Sequence, residues 1–110
     1  MTIDVLGTTY FIDTRRIEDD MLLGERLAYT DESVKQIVVV ALTPEICELK
    51  DKDAFRRHLI RHEIIHAFLF ESGMGDLMAH AEQGHDEQMI DWFARQSGKI
   101  FKAFQDANVS

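Results

Sequence analysis

The chain has 110 residues, with 12 basic and 20 acidic side chains and a formal net charge of −8. This length predicts one domain, residues 1–110, and a hydrophobic fraction of 45% is enough for one modest core. The acidic balance argues against binding to a nucleic-acid backbone or to an anionic membrane surface, because both need a basic face.

Features that direct a protein to a membrane or to secretion are not expected. No apolar run approaches the ~20 residues that span a bilayer. The start, MTIDVLGTTY, has neither a basic segment nor a long apolar segment, so no signal peptide is predicted. The single cysteine, Cys47, cannot form an internal disulfide, which favours a reducing compartment. We therefore expect a cytoplasmic protein.

The first forty residues predict strands. The segments TIDV, LGT and TYFID indicate a hairpin that turns near Gly7. After an ambiguous polar stretch that breaks at Gly24, ERLAYT and QIVVV flank the turn-rich DESVK and indicate a second hairpin. The β-branched run Ile37, Val38, Val39 and Val40 suits a central strand that is buried on both faces.

The second half of the chain predicts two helices. After Pro44 the apolar period changes to about 3.6, and Asp51 or Asp53 can cap a helix through AFRRHLIRHEIIHAFLFES that stops at Gly73. A final helix starts near Asp86 and carries an apolar stripe: Met89, Phe93, Ile100 and Phe104. The sequence thus predicts an α+β fold, in which a small, twisted, mainly antiparallel sheet of three or four strands packs on the first helix and a C-terminal helix.

The stretch RHEIIHAF, residues 61–68, contains the pattern H-E-x-x-H. Residues four apart share one face of a helix, so His62 and His66 can direct imidazole nitrogens at one zinc ion. Glu63 can reach a water on that metal and act as its general base, because the metal lowers the pKa of the water toward ~7. A pattern this short also arises by chance, so it predicts two ligands rather than a complete site.

The third ligand must come from another segment of the chain. His58 continues the histidine ladder, but a rise of ~1.5 Å per residue places it ~12 Å from His66 along the helix axis. One ion with ~2 Å bonds cannot span that distance. The downstream candidates are Asp76, His80, His85, Asp86, Glu87 and Asp91.

The last helix offers the favoured assignment among these candidates. Glu87 and Asp91 lie four residues apart on one face, so Glu87 can bind the metal while Asp91 accepts the second N–H of a ligating histidine. The alternative is a solvated acidic face at the start of a helix. His85 or His80 is an alternative third ligand, and these two and Tyr29 are alternative hydrogen-bond donors to an oxyanion.

RHEIIHAFLFESG followed by HDEQMIDWFA resembles the zincin metallopeptidases in their gluzincin arrangement, in which a glutamate on a second helix is the third zinc ligand. More narrowly, these segments are similar to the small phage and bacterial proteins grouped near the ImmA/IrrE metallopeptidases and to the minigluzincins. The ImmA/IrrE pattern corresponds here to Glu87, Ile90, Asp91, Phe93 and Ala94, with Ile90 where that pattern usually has alanine.

The resemblance implies zinc-dependent hydrolysis of peptide bonds in a bacterium or a phage-infected host. One Zn²⁺ per chain would be held by His62, His66 and Glu87, with Glu63 as the general base. A protein or peptide substrate would add as a strand to an exposed sheet edge. No nucleic-acid or membrane partner is expected, and the sequence indicates no oligomeric state.

Two alternatives compete with the peptidase. One is a non-catalytic or regulatory domain that keeps the zinc. The other is a metal-free interaction module, in which the apolar stripe of the last helix forms a dimer face.

Overall fold

The computed structural model describes residues 1–74 and 86–109 of the chain. Four strands form one sheet: β1 (Thr2–Val5), β2 (Thr8–Arg15), β3 (Ala28–Asp31) and β4 (Gln36–Val40). Two short 3₁₀ turns lie between β2 and β3: Ile17–Asp19 and Met21–Gly24. Two helices follow the sheet: α1 (Lys52–Glu71) and α2 (Glu87–Asp106). The predicted α+β fold class is confirmed.

The strand order across the sheet is β1-β2-β4-β3. The pairs β1–β2 and β3–β4 are antiparallel hairpins, as predicted, whereas β2 and β4 pair in parallel at the centre. The first hairpin turns at Leu6 and Gly7, both with positive φ, where glycine has no steric cost. The sheet is therefore mixed, and with two antiparallel pairs and one parallel pair it is mainly antiparallel, as predicted. The two outer strands, β1 and β3, are its edges.

The central strand β4 has apolar side chains on both faces of the sheet, and its four β-branched residues are fully buried. On one face, Ile37 and Val39 pack with Ile60 and Ala67 of α1. On the other face, Val38 and Val40 pack under the segments that precede β3 and follow β4. The prediction of a strand buried on both sides is confirmed.

Side-chain caps set the start of each helix. The carboxylate of Asp51 accepts a hydrogen bond from the backbone N–H of Ala54 at 2.9 Å, so Asp51 rather than Asp53 is the N-cap of α1. Gly73, with φ +86°, follows the end of α1, as predicted. The carboxylate of Asp86 accepts from the amides of Gln88 and Met89 and starts α2.

The helix α2 lies against α1 rather than against the sheet. It buries only Ile90 and Ala94, while Met89, Phe93 and Phe104 of the predicted apolar stripe remain about half exposed. Neither helix in the described ranges combines the length and apolar character needed to cross a bilayer.

Candidate metal centre

The helix α1 brings the H-E-x-x-H residues to one place beside β3. The ring centroids of His62 and His66 are 5.1 Å apart, as expected for residues one turn apart on a helix. Ligand atoms of His62, Glu63 and His66 lie within 4.8 Å of one another. His66 and Glu63 are buried, and His62 is half-buried. The motif therefore forms a compact donor group at the surface of the core.

Glu87, the first residue of α2, contacts both motif histidines. Its Oε2 atom lies 2.7 Å from Nε2 of His62 and 3.3 Å from Nε2 of His66. Ligand atoms on one tetrahedral ion with ~2.0–2.1 Å bonds are ~3.3 Å apart. The separation from His66 matches that value, whereas the 2.7 Å separation from His62 is that of a direct hydrogen bond, which a shared cation would lengthen. Two imidazole nitrogens and a carboxylate oxygen also form a donor set that zinc accepts. The predicted partner segments meet, because the Asp86 cap starts α2 opposite the motif.

Glu63 differs from Glu87 in its surroundings. Its carboxylate oxygen Oε1 lies 2.9 Å from the Thr30 hydroxyl, which is also 3.0 Å from the backbone carbonyl oxygen of Glu63. Burial raises the pKa of the Glu63 carboxyl, because the low-dielectric surroundings disfavour the charged form more than Thr30 and His62 favour it. Glu87, in contrast, is mostly exposed. The buried carboxyl suits a proton acceptor, and the exposed one is free to approach a cation.

Asp91 lies where the sequence predicted it, at the second ring nitrogen of His62. Its Oδ1 atom is 3.3 Å from Nδ1 of His62 and 2.8 Å from Nε2 of His58, and its Oδ2 accepts from Nε of Arg95 at 2.8 Å. The hydrogen bond from Arg95, followed by that from His62, lowers the pKa of Asp91 to about 2. An ionised Asp91 can thus fix the orientation and tautomer of the His62 ring.

Sequence reasoning missed three members of this arrangement. Thr30 is a polar residue within a predicted strand, and only the placement of β3 beside α1 gives it a role. Arg95 follows Asp91 by four residues, a helical ion-pair spacing that was available in the sequence. His58 contacts Asp91 rather than the two motif imidazoles. This contact could not be predicted, because His58 and Asp91 lie on different helices.

Tyr29 lines the same cavity as the motif, but its hydroxyl is directed at Asp20. Successive side chains of a strand point to opposite faces, and Tyr29 packs on the sheet face away from α1, with Val38 and Val40. Its hydroxyl donates to the Asp20 carboxylate, and burial followed by this bond raises the pKa of Tyr29 to about 12. The Tyr29 hydroxyl would have to leave Asp20 to act as the suggested oxyanion donor, and this role stays a prediction. His80, His85 and Asp76 lie outside the described residues.

A cavity of about 820 Å³ lies between the edge strand β3, the motif and the start of α2. The residues that matter for its chemistry are Ala28, Thr30, His62, Glu63, His66 and Glu87. Its size is within the range of small-ligand pockets, and an edge strand forms one wall. The cavity can admit an extended chain alongside the donor group.

No known family model, curated protein or solved structure matches this chain. In the part of the molecule that the structure describes, the feature that points most directly to function is the meeting of the α1 motif with Glu87 and Asp91 of α2.

Proposed function

We propose that this chain is a zinc-dependent peptidase of the zincin type. The observation that carries the proposal is the position of the Glu87 Oε2 atom, 2.7 Å from Nε2 of His62 and 3.3 Å from Nε2 of His66. A carboxylate from a second helix thus converges on both imidazoles of an H-E-x-x-H motif, which is a three-ligand set for catalytic zinc.

The two carboxylates near the histidines have different roles in this proposal. His62, His66 and Glu87 hold the metal, and Asp91 fixes the His62 ring through its Nδ1 atom at 3.3 Å. A zinc ion bound there would lower the pKa of a water molecule and polarise the scissile carbonyl group. Glu63 would lie beside the bound metal, and its carboxylate accepts a hydrogen bond from the Thr30 hydroxyl.

Glu63 acts as the general base. Its carboxylate accepts the proton of the attacking water and passes it to the nitrogen of the leaving amine. Burial raises the pKa of Glu63 toward the working pH, where a proton acceptor that must also give the proton back is most effective. The Thr30 hydroxyl donates to one oxygen of this carboxylate and so restricts its rotation.

A peptide substrate binds along the edge strand β3. This strand is the outermost member of the sheet on the side of the motif, so its outer backbone groups are available for strand addition. Thr30 on the same strand contacts Glu63, which places an added strand next to the general base. Because backbone hydrogen bonds are independent of sequence, this edge supplies affinity for peptides in general.

The test combines metal analysis with one isosteric substitution. Protein purified without chelators is expected to contain one zinc per chain. Glu63→Gln is expected to keep the zinc while cleavage of denatured casein and of a peptide library falls by roughly 10²–10⁴-fold, the usual contribution of a general base. Glu48→Gln makes the same chemical change at an exposed position outside the site and is the matched control.

Two outcomes would redirect the assignment. Protein that takes up no zinc even after metal addition would rule out both a peptidase and a zinc-holding domain. Wild-type protein that binds zinc but cleaves nothing would favour the non-catalytic or regulatory zinc domain.

A second candidate function, an interaction module, is supported by the surface of α2. Met89, Phe93 and Phe104 of its stripe are 53%, 48% and 48% exposed. Apolar stripes of this kind mark protein-protein contact sites, and antiparallel pairing with a second copy would cover both stripes at once. Sedimentation equilibrium of wild type and of Phe93→Ser/Phe104→Ser tests this candidate; a concentration-independent monomer would rule out the dimer.

A further inference from the structure

A second cavity, of about 620 Å³, lies between the first half of α1 and the middle of α2. Four of its lining side chains are cationic, namely Lys50, Arg61, Arg95 and Lys99, and we call this cavity the basic groove. Asp51 is the one carboxylate in its lining among the described residues, and it is engaged as the N-cap of α1. A concentration of positive charge in a chain of net charge −8 is unexpected for a surface without a ligand.

The two arginines are held in place, with donors to spare. Nε of Arg61 donates to the backbone carbonyl oxygen of Ala94 at 3.1 Å, which fixes Arg61 across the helix pair. Nε of Arg95 donates to Oδ2 of Asp91 at 2.8 Å. A guanidinium group has five N–H donors, so four on each arginine have no partner among residues 1–74 and 86–109, and they form a planar fork that matches a carboxylate.

The two lysines add charge that no near neighbour neutralises. Over residues 1–74 and 86–109, Lys50 and Lys99 form neither an ion pair nor a side-chain hydrogen bond. Several cations that face one space raise its potential, and the low-dielectric walls of a cleft concentrate that field. The groove is thus built to attract and orient an anionic group.

The basic groove is adjacent to the cavity at the candidate metal centre. Phe55 and His58 line both cavities. His58 precedes His62 by four residues, which is ~6 Å along the axis of α1. An extended peptide advances ~3.3 Å per residue, so a side chain roughly two to four residues from a bond held at the motif reaches the groove.

We propose that the basic groove binds a carboxylate of the peptide chain, so that the preferred substrates carry Asp or Glu roughly two to four residues from the scissile bond. This inference rests on the proposed peptidase function for the position of that bond. The arginine forks supply bidentate hydrogen bonds to the carboxylate, and the lysines supply the long-range attraction. Strand addition at β3 would then provide general affinity and the groove would provide specificity.

Binding to metal-free protein tests the inference apart from catalysis. Fluorescent peptides that differ only by Glu or Gln at one position are titrated at low salt in the presence of a chelator, with anisotropy as the readout. The Glu peptide is expected to bind about tenfold more tightly, the value of one charge-assisted hydrogen bond, and added salt is expected to reduce the preference. Inorganic phosphate serves as a separate anionic probe.

Matched double variants assign the preference to the groove. Lys50→Gln/Lys99→Gln removes two cations from the groove without touching Arg61 or Arg95, whose bonds join α1 and α2 or reach Asp91. Arg16→Gln/Lys102→Gln makes the same charge change at side chains that are 70% and 74% exposed and that do not line the groove. The first variant is expected to show a smaller preference for Glu, because only the arginine forks remain, and the second to keep the full preference.

Two results would overturn the inference: equal binding of Glu and Gln peptides by wild type, whether or not phosphate binds, or equal loss of preference in both double variants. Equal loss would show that net charge alone is responsible. The binding test needs no zinc, so its result is independent of catalysis. If the protein prefers the Glu peptide but cleaves nothing, the inference about the basic groove stands and the proposed peptidase function fails.

Discussion

The two helices are attached to the molecule in different ways. The helix α1 buries Ile60 and Ala67 in the core of the sheet, and Glu71 at its end bonds to two strand residues. The helix α2 buries only Ile90 and Ala94. It meets α1 largely through polar contacts, from Glu87 and Asp91 to the histidines and from Arg61 to the Ala94 carbonyl. The candidate metal centre is therefore also the junction between the helices.

The difference has an energetic meaning. A fully buried large apolar side chain stabilises a protein by about 1.5–3 kcal/mol, whereas a typical hydrogen bond contributes a net ~0.5–1.5 kcal/mol. Because α2 buries just two apolar residues, we expect it to be the less stable of the two helices and to open before the sheet unfolds. A metal held by residues of both helices would stabilise the weaker attachment.

The largest expected effect comes from a matched pair of core substitutions. Ile60→Ala in α1 is expected to lower the free energy of global unfolding by about 2–5 kcal/mol, because it leaves a cavity in the main core. Ile90→Ala in α2 is expected to speed hydrogen exchange of α2 amides while leaving exchange in β4 nearly unchanged. Urea unfolding measures the loss of global stability, and hydrogen exchange measures the loss of protection in each element. Equal loss of protection in β4 would mean that α2 belongs to the main cooperative unit.

Zinc is expected to stabilise the junction. At a free concentration of 100 times the Kd, a ligand that binds only the folded state adds ~2.7 kcal/mol. Thermal unfolding is expected to shift upward, and α2 amides are expected to gain the most protection. Mg²⁺ is the control, because it prefers oxygen ligands. His66→Ala is expected to abolish the shift, and a full shift in that variant would place the zinc elsewhere.

A smaller effect is expected at Asp91, which contacts the proposed metal ligand His62. Asp91→Asn is expected to weaken zinc binding about 10–100-fold, because the partner of a ligating histidine sets its orientation and basicity. Asp106→Asn, at the far end of the same helix, is the control and is expected to leave the zinc Kd unchanged. Glu87→Ala is expected to weaken binding more than Asp91→Asn. Strong loss with His58→Ala instead would contradict Glu87 as the third ligand.

The smallest effect concerns the attachment of α1 to the sheet. The Glu71 carboxylate accepts from Lys35 at 2.8 Å and from the Tyr10 hydroxyl at 2.7 Å, and these bonds lower the pKa of Glu71. A lowered pKa stabilises the fold above the unfolded value of ~4.3, and this contribution disappears as the pH falls through the folded value. Glu71→Gln is therefore expected to be less stable than wild type at pH 7.

The pH dependence supplies the check on Glu71. Urea midpoints of the wild type and the variant are expected to converge as the pH falls through the lowered pKa of Glu71, because the wild-type carboxyl is then protonated. Glu48→Gln, at an exposed position, is the control. A gap between the two midpoints that stays constant from pH 7 down to acid unfolding would show that shape rather than charge is responsible.

Patterns over a few neighbouring residues predicted many features of the fold and the candidate site. The features that they did not predict depend on how distant segments of the chain pack. The β-branched run of β4, the cap at Asp51 and the shared face of Glu87 and Asp91 all depend on residues a few positions apart. The alternation along β3 likewise separates Tyr29 from Thr30, but it does not say which of them faces α1. That choice depends on where the helix packs, and it decides which side chain meets Glu63.

The parallel β2–β4 ladder could not be predicted for the same reason. Neither strand sequence indicates its neighbour, and a continuous β-branched run suits a buried strand of either pairing. Its pairing with β2 joins residues far apart in the chain, such as Phe11 and Gln36.

This ladder also has a consequence for the order of folding. Each hairpin is local and can form in ~1–10 μs, but the β2–β4 pairing must close a loop from Phe11 to Gln36 before its contacts form. We expect substitutions at this pairing to slow folding, and substitutions in α2 to speed unfolding instead. The proposed zinc ligands lie on α1 and α2, outside the β2–β4 ladder. We therefore expect zinc to slow the unfolding of the helix pair and to leave the rate at which the hairpins join unchanged.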